Sequence, residues 1–156
     1  MKNLKLKKFR TIGKEELKAA STVIRSGILS NFFAKEGDNF LGGKYVKKFE
    51  SDCKKYFKTK YAITVNSWTS GLIAIIGSIN IKPGDEVILS PWTMSACATS
   101  ILHWGGIPVF CDIDEKTFNI DPKKIEKRIT NKTKAIMAID FFGQPCDVDE
   151  IKKICK

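Results

Sequence analysis

The chain has 156 residues, a hydrophobic content of 43% and a formal net charge of +10. The hydrophobic content excludes a disordered chain, and the lack of a Gly-x-y period or a low-complexity tract excludes a fibrous protein. The longest apolar run, residues 72–81, is interrupted by Gly77, Ser78 and Asn80 and is too short and too polar to span a bilayer. We therefore expect a globular protein with its own hydrophobic core.

The positive charge is confined to the start of the chain. Residues 1–60 hold 16 Lys and Arg against 6 Asp and Glu, whereas residues 61–156 hold equal numbers of the two. Nearly all the basic residues are lysines, which lack the planar fork with which arginine binds phosphate. A basic segment of this kind fits a solvated surface or a polyanion-binding arm, and its composition favours the solvated surface.

The cysteines indicate a reducing compartment. They are Cys53, Cys97, Cys111, Cys146 and Cys155. An odd number without Cys-x-x-Cys spacing is typical neither of a disulfide framework nor of a zinc site. Residues 1–10 are basic, but the apolar segment of a signal peptide does not follow them. The sequence therefore predicts a cytoplasmic protein with reduced thiols.

The first 60 residues are predicted to be helical with one long loop. Apolar residues recur at helical spacing over residues 14–26 and again over residues 44–57, where lysines occupy the opposite face. Between them, residues 28–43 contain several glycines and predict a loop. We therefore place a boundary in the domain organisation between residues 1–60 and residues 61–156.

From residue 61 onward, strands and helices alternate. Strands are predicted over residues 61–65, 86–89, 107–111 and 134–139. Helices are predicted over residues 69–79, 94–104, 121–129 and 147–156. This alternation predicts an α/β fold, in which helices cover both faces of a mostly parallel sheet. Ligands of such sheets bind beyond the carboxyl ends of the strands.

The first candidate site lies where the strand over residues 61–65 gives way to a helix. Asn66 or Ser67 can cap that helix, whose free N–H groups would bind an anion beside the hydroxyls of Ser67, Thr69 and Ser70. The segment fits either phosphate binding or an ordinary helix cap. Its glycine spacing matches neither a Walker loop nor a dinucleotide-binding loop.

The second candidate site follows the strand over residues 86–89. Trp92 and Met94 stand where a planar ligand could stack on them, although large apolar side chains at such positions are more often core residues.

Metal binding is not predicted. The aspartates Asp112, Asp114 and Asp121 do not have the spacing of an EF-hand loop, and Asp121 is well placed to cap a helix. His103 is the only histidine, so neither a histidine metal site nor a triad is indicated.

Six segments in register resemble the DegT/StrS type of PLP-dependent sugar aminotransferases, within the fold type I aminotransferase superfamily. They comprise a Gly-x-x-Val-x-x-Phe-Glu helix, the polar strand-to-helix segment described above, a Pro-Gly-Asp-Glu-Val turn, a Gly-Gly-Ile-Pro-Val-Phe strand, a Lys-Thr-Lys-Ala-Ile strand and a Phe-Gly-Gln-Pro loop. They occupy residues 43–50, 65–72, 82–88, 105–112, 132–136 and 142–145.

The resemblance implies a three-layer α/β sandwich that forms the N-terminal part of a fold type I PLP-transferase large domain. Residues 1–60 would supply helices and a loop that pack on this domain, and residues 61–156 part of the PLP-binding domain itself. The implied activity transfers an amino group from an amino acid, usually glutamate, to a keto group on a nucleotide-linked sugar for polysaccharide biosynthesis. The implied parent enzyme is a homodimer, and neither a membrane nor nucleic acid is among its expected partners.

The resemblance also implies cofactor-binding residues. The backbone at Trp68 and the hydroxyl of Thr69, next to Ser67, would hold the cofactor phosphate. Met94 falls where the family often places an aromatic ring over the pyridine, and Trp92 is the alternative stacking residue. Two departures stand out: Trp68 replaces a small residue, and Met94 replaces an aromatic one.

No catalytic residue is assigned, because the family's Schiff-base lysine and its pyridinium-pairing aspartate lie further along than residue 156. We therefore expect the chain to correspond to the N-terminal portion of such an enzyme and to be inactive alone. A sugar dehydratase relative, in which the lysine position is changed, is equally consistent with these segments. The rival from another class is a non-catalytic basic α/β module that binds nucleic acid or another polyanion, with an affinity that falls steeply as salt rises.

Overall fold

The structure, a computed structural model, describes residues 11–156. The basic segment over residues 1–10, on which the signal-peptide prediction depends, lies outside the described residues. Within the described part, the chain divides into two compact units, one ending at Thr64 and the other comprising Val65–Lys156. No helix among the described residues is long and apolar enough to cross a membrane.

The first unit contains two amphipathic helices, α1 (Lys14–Arg25) and α2 (Lys44–Phe57). The Gly13 N–H donates to Glu16 Oε2 at 2.7 Å and so completes the first turn of α1. Helix α2 ends where Lys58 enters the left-handed region, with φ of 54°. Neither helix has a buried residue, so the apolar side chains of this unit remain largely exposed.

The strand predicted over residues 61–65 is absent from the described structure. The segment has no regular secondary structure, and both the N–H and the hydroxyl of Thr64 donate to Glu50 Oε1 at 2.8 Å. Ile63 is 83% exposed. A strand requires a neighbouring strand, and the backbone here is bound to a side chain of α2 instead.

The second unit is a three-stranded parallel sheet with helices on both faces. Strand β1 (Glu86–Leu89) lies in the middle, with β2 (Ile107–Phe110) on one side and β3 (Thr133–Met137) on the other. The helices are α3 (Trp68–Ser78), α4 (Ser95–His103), α5 (Pro122–Ile125) and α6 (Val148–Ile154). Short 3₁₀ turns at Glu126–Arg128 and Phe141–Gly143 complete the unit. Pro108 falls on the edge strand β2, where a missing N–H is tolerated.

The core has two layers because successive side chains of β1 point to opposite faces of the sheet. On one face, Val87 and Leu89 pack with Ile101 and other residues of α3 and α4. On the other, Ile88 packs with Ile125 of α5 and Ile151 of α6. The predicted α/β fold with helices on both faces of a parallel sheet is therefore confirmed.

One close approach joins α3 to α4. The Trp104 indole Nε1 donates to the Ile73 carbonyl at 2.8 Å, and a Cβ on Gly77 would overlap the Trp104 ring. Gly77 is therefore the residue that lets the indole lie against α3.

Cys146 is expected to resist alkylation in the folded chain. Burial, and to a smaller extent the neighbouring Asp140 carboxylate, together raise the pKa of its thiol to about 11. The thiol also donates to the Ile139 carbonyl at 3.0 Å. At about pH 8 its thiolate population is roughly a hundredth of that of an ordinary thiol, since the pKa is about two units higher.

A timed pulse of iodoacetamide followed by peptide mapping measures this difference. The exposed Cys155 serves as the internal reference for reagent activity. Labelling of Cys146 within about threefold of the Cys155 rate would contradict the buried, hydrogen-bonded thiol.

Candidate active site at the carboxyl edge of the sheet

The carboxyl edge of the sheet contains a point where the strand order reverses. The chain leaves β1 for β2 on one side, and β3 then returns to the other side of β1. Loops that leave β1 and β3 therefore diverge and open a crevice between them, which is where parallel α/β sheets bind ligands.

The crevice contains a pocket of about 580 Å³, which we call the edge pocket. The N-terminus of α3, the loop after β1, the first turns of α4 and the loop after β3 surround it. Its lining residues are Trp68, Thr69, Leu72, Thr93, Met94, Ala96, Cys97, Met137, Ala138, Ile139, Asp140 and Phe141.

The N-terminus of α3 offers backbone donors to this pocket. Ser67 is the N-cap residue: its Oγ accepts the Ser70 N–H at 3.2 Å, and its carbonyl accepts the Gly71 N–H at 3.1 Å. The N–H groups of Trp68 and Thr69 have no acceptor within the described part of the chain. Two free donors at the positive end of an eleven-residue helix form an anion-binding arrangement.

The predicted site residues occupy three different places. Trp68, Thr69 and Met94 line the edge pocket, and Met94 is 73% exposed at its rim. Ser67 caps the helix whose N-terminus faces the pocket. Trp92 is not among the lining residues; its ring centroid lies 6.1 Å from that of Phe118 and 6.0 Å from that of Phe141.

Sequence reasoning overlooked Asp140, which lies three residues after the end of β3. Asp140 is the one charged residue among those lining the edge pocket. Its Oδ1 accepts the Cys146 N–H at 2.9 Å. The signal that could have identified it is the one that identified Trp92, namely a polar or aromatic residue soon after a predicted strand end.

The other aspartates have local structural partners. Asp112 forms an ion pair with Lys124 at 3.0 Å, and the hydrogen bond from that ammonium lowers the pKa of the carboxyl. Asp114 accepts the N–H groups of Lys116 and Thr117, while Asp121 caps α5 as predicted. The described residues contain no cluster of three potential metal ligands. His103 is exposed and lies edge-on to the Trp104 ring.

Comparison with known proteins identifies the family. The DegT/DnrJ/EryC1/StrS aminotransferase family matches residues 12–156. A curated relative, the spore coat polysaccharide biosynthesis protein SpsC of Bacillus subtilis, is 41% identical over 145 residues, which are 93% of this chain and 34% of the relative. The chain thus spans about a third of the length of the curated relatives it matches.

Solved structures agree in fold. The aminotransferase from Psychrobacter cryohalolentis superposes with a TM-score of 0.84 at 32% identity, over 96% of this chain and 35% of that one. GDP-4-keto-6-deoxymannose-3-dehydratase with a trapped PLP-glutamate geminal diamine gives 0.82 at 30% identity, over 94% of this chain and 36% of that one. The matched residues and the shared fold show that the chain belongs to the PLP-dependent DegT/DnrJ/EryC1/StrS aminotransferase family.

Proposed function

We propose that this chain forms the N-terminal, cofactor-binding part of an enzyme that transfers an amino group from glutamate to a keto carbon of a nucleotide-linked sugar. The observation that supports this proposal most directly is the pair of free N–H groups at the start of α3, which belong to two residues lining the edge pocket, Trp68 and Thr69. The relatives support the reaction class, since they include an aminotransferase and a dehydratase named for a GDP-linked keto sugar. The product belongs to polysaccharide biosynthesis, in keeping with the spore coat relative.

The residues present fit the phosphate of PLP. The Trp68 and Thr69 N–H groups lack other acceptors in the described chain, and the Thr69 hydroxyl lies beside them. Ser67 holds the helix start in place through its bond to the Ser70 N–H. Charge-assisted hydrogen bonds of this kind are about twice as strong as neutral ones. When bound, PLP supplies the electron sink for amino-group transfer.

The ring of the cofactor would lie deeper in the edge pocket. Met94 at the rim and Leu72 on α3 present apolar surface to a planar ligand. Trp92 packs against the rings of Phe118 and Phe141, and this packing would hold in place the loop that carries Met94. In this proposal Met94 contacts the pyridine face and Trp92 positions that contact.

We further propose that the 156-residue chain alone does not turn over substrate. No lysine is among the residues lining the edge pocket, so the described chain offers no amine to hold the cofactor covalently there. Residues 1–60 would pack on the large domain to which residues 61–156 contribute, within a cytoplasmic homodimer. The described cysteines are all free, which fits that reducing compartment.

The phosphate site is tested by comparing pyridoxine 5'-phosphate with pyridoxine in equilibrium dialysis. Neither compound carries an aldehyde, so surface lysines do not react with them. We expect the phosphorylated compound to bind at least about tenfold more tightly, because only it can accept the two N–H groups. Inorganic phosphate should compete with it. Equal affinities, or no binding of either compound, would overturn the proposed phosphate site.

The proposed lack of a catalytic lysine has its own readout. After incubation with PLP and reduction with borohydride, mass spectrometry should find low, scattered labelling of surface lysines. Stoichiometric labelling of one lysine would show that the chain does contain a cofactor-binding amine.

A further inference from the structure

Asp140 stands out among the residues of the edge pocket because its charge has no counterpart there. The other lining residues are apolar, aromatic, sulfur-containing or hydroxyl-bearing. Within the described residues, the ion pairs join lysines to Asp52, Asp112, Asp121 and Glu150, and none involves Asp140. A carboxylate that lines a pocket and has no cationic partner in the protein can pair with a cationic group of a ligand.

The surrounding loop fixes the position of this carboxylate. Asp140 Oδ1 accepts the Cys146 N–H at 2.9 Å, and the carboxylate lies close enough to the Cys146 thiol to raise its pKa. No cation of the described chain lies beside it. The next residue, Phe141, donates its N–H to Asn119 Oδ1 at 3.0 Å, and Asn119 Nδ2 donates to the Gln144 carbonyl at 2.8 Å. Asn119 is only 4% exposed, so the loop after β3 is tied to a buried amide. Asp140 is therefore preorganised rather than free to turn away.

The edge pocket consequently carries charges of opposite sign on different walls. The N-terminus of α3 provides free N–H groups and the positive end of a helix dipole. Asp140, on the loop after β3, provides a negative charge. A ligand that satisfies both must combine an anionic group with a cationic one.

We propose that Asp140 recognises the cationic amino group of the cofactor's amine form and makes the edge pocket selective for pyridoxamine 5'-phosphate. This inference rests on the proposed function, since it takes the phosphate to lie at the α3 N-terminus. Asp140 is then a specificity-determining residue, which favours the state of the cofactor that carries the amino group. If Asp140 had only a structural role, its carboxylate would accept the Cys146 N–H and would not contact the ligand.

The test compares two ligands that differ in one group. Pyridoxamine 5'-phosphate has an ammonium where pyridoxine 5'-phosphate has a hydroxyl, and neither reacts with lysine. Isothermal titration of the full 156-residue chain should give about tenfold tighter binding of the amine, the gain of one charge-assisted hydrogen bond. Asp140→Asn should abolish that preference and change the affinity for pyridoxine 5'-phosphate by less than about twofold.

Two features of the design separate recognition from structure. The asparagine in Asp140→Asn still has an oxygen to accept the Cys146 N–H, so the loop contact is retained. Asp149→Asn removes the same charge from an exposed position on α6 and should leave the preference intact. Far-UV circular dichroism and thermal melting of each variant check that it is folded.

The outcomes distinguish this inference from the function on which it rests. Equal affinity of the wild-type chain for both ligands would overturn the role of Asp140 while leaving the phosphate site standing. An equal loss of both affinities in Asp140→Asn would assign Asp140 a structural role and overturn the proposal. If neither ligand binds the wild-type chain, the phosphate site fails and this inference fails with it.

Discussion

Replacing Trp68 with proline is expected to weaken binding of pyridoxine 5'-phosphate by about ten- to hundredfold. Proline lacks an N–H, so the change removes one of the two free donors at the start of α3. One hydrogen bond to a charged group contributes about 1.5–3 kcal/mol, which corresponds to that range of affinity. Equilibrium dialysis with the phosphorylated ligand measures the loss directly.

The local backbone accommodates this substitution. Trp68 is the first residue of α3, the position at which proline is most readily accepted in a helix. The preceding residue must be extended, and Ser67 has φ of −156° and ψ of 158°. The helix and its Ser67 cap should therefore survive, as circular dichroism can verify.

Trp68→Ala is the matched control, because it deletes the same indole but keeps the N–H. The indole is 69% exposed, so its loss should lower the affinity by no more than about threefold. If Trp68→Pro and Trp68→Ala bind the ligand equally well, the backbone N–H does not hold the phosphate. That result would also contradict the expectation, drawn from the family resemblance, that the backbone at Trp68 holds the cofactor phosphate.

Local patterns predicted most of the helices and strands. The predicted bounds of α2 and β1 coincide with those in the structure, and those of α3 and α4 differ by a single residue at each end. Their apolar periodicity and their Gly and Pro boundaries are encoded within a few residues. The same holds for Ser67 and Asp121, whose side chains cap the helix that directly follows each of them.

Features that depend on distant residues were predicted less well. Residues 61–65 have strand-like composition, yet whether they form a strand depends on a partner that their own sequence does not specify. Asp140 was overlooked because its place in the edge pocket depends on β3 lying beside β1, which is a property of the strand order. In the local pattern Gly77 only interrupts an apolar run, whereas its contact with Trp104 involves a residue 27 positions away.

Ile101→Ala is expected to cause the largest loss of stability among single substitutions in α4, about 2–5 kcal/mol in the free energy of unfolding. Ile101 is completely buried and belongs to the core cluster that contains Val87 and Leu89 of β1. Truncation leaves a cavity that close-packed neighbours fill only in part. Urea unfolding followed by far-UV circular dichroism measures the change.

Leu102→Ala provides the control on the same helix, since the adjacent side chain is 56% exposed. Both variants lose aliphatic surface, but only Ile101→Ala opens a cavity, so Leu102→Ala should cost less than about 1 kcal/mol. Because a small domain is stable by only about 5–15 kcal/mol, Ile101→Ala should remove a large share of that stability and lower the urea concentration at the unfolding midpoint. Equal stability of the two variants would mean that α4 does not pack on β1 in solution. In that case α4 and Met94 would not form their wall of the edge pocket. The stability measurement therefore also tests whether the chain can bind its ligand.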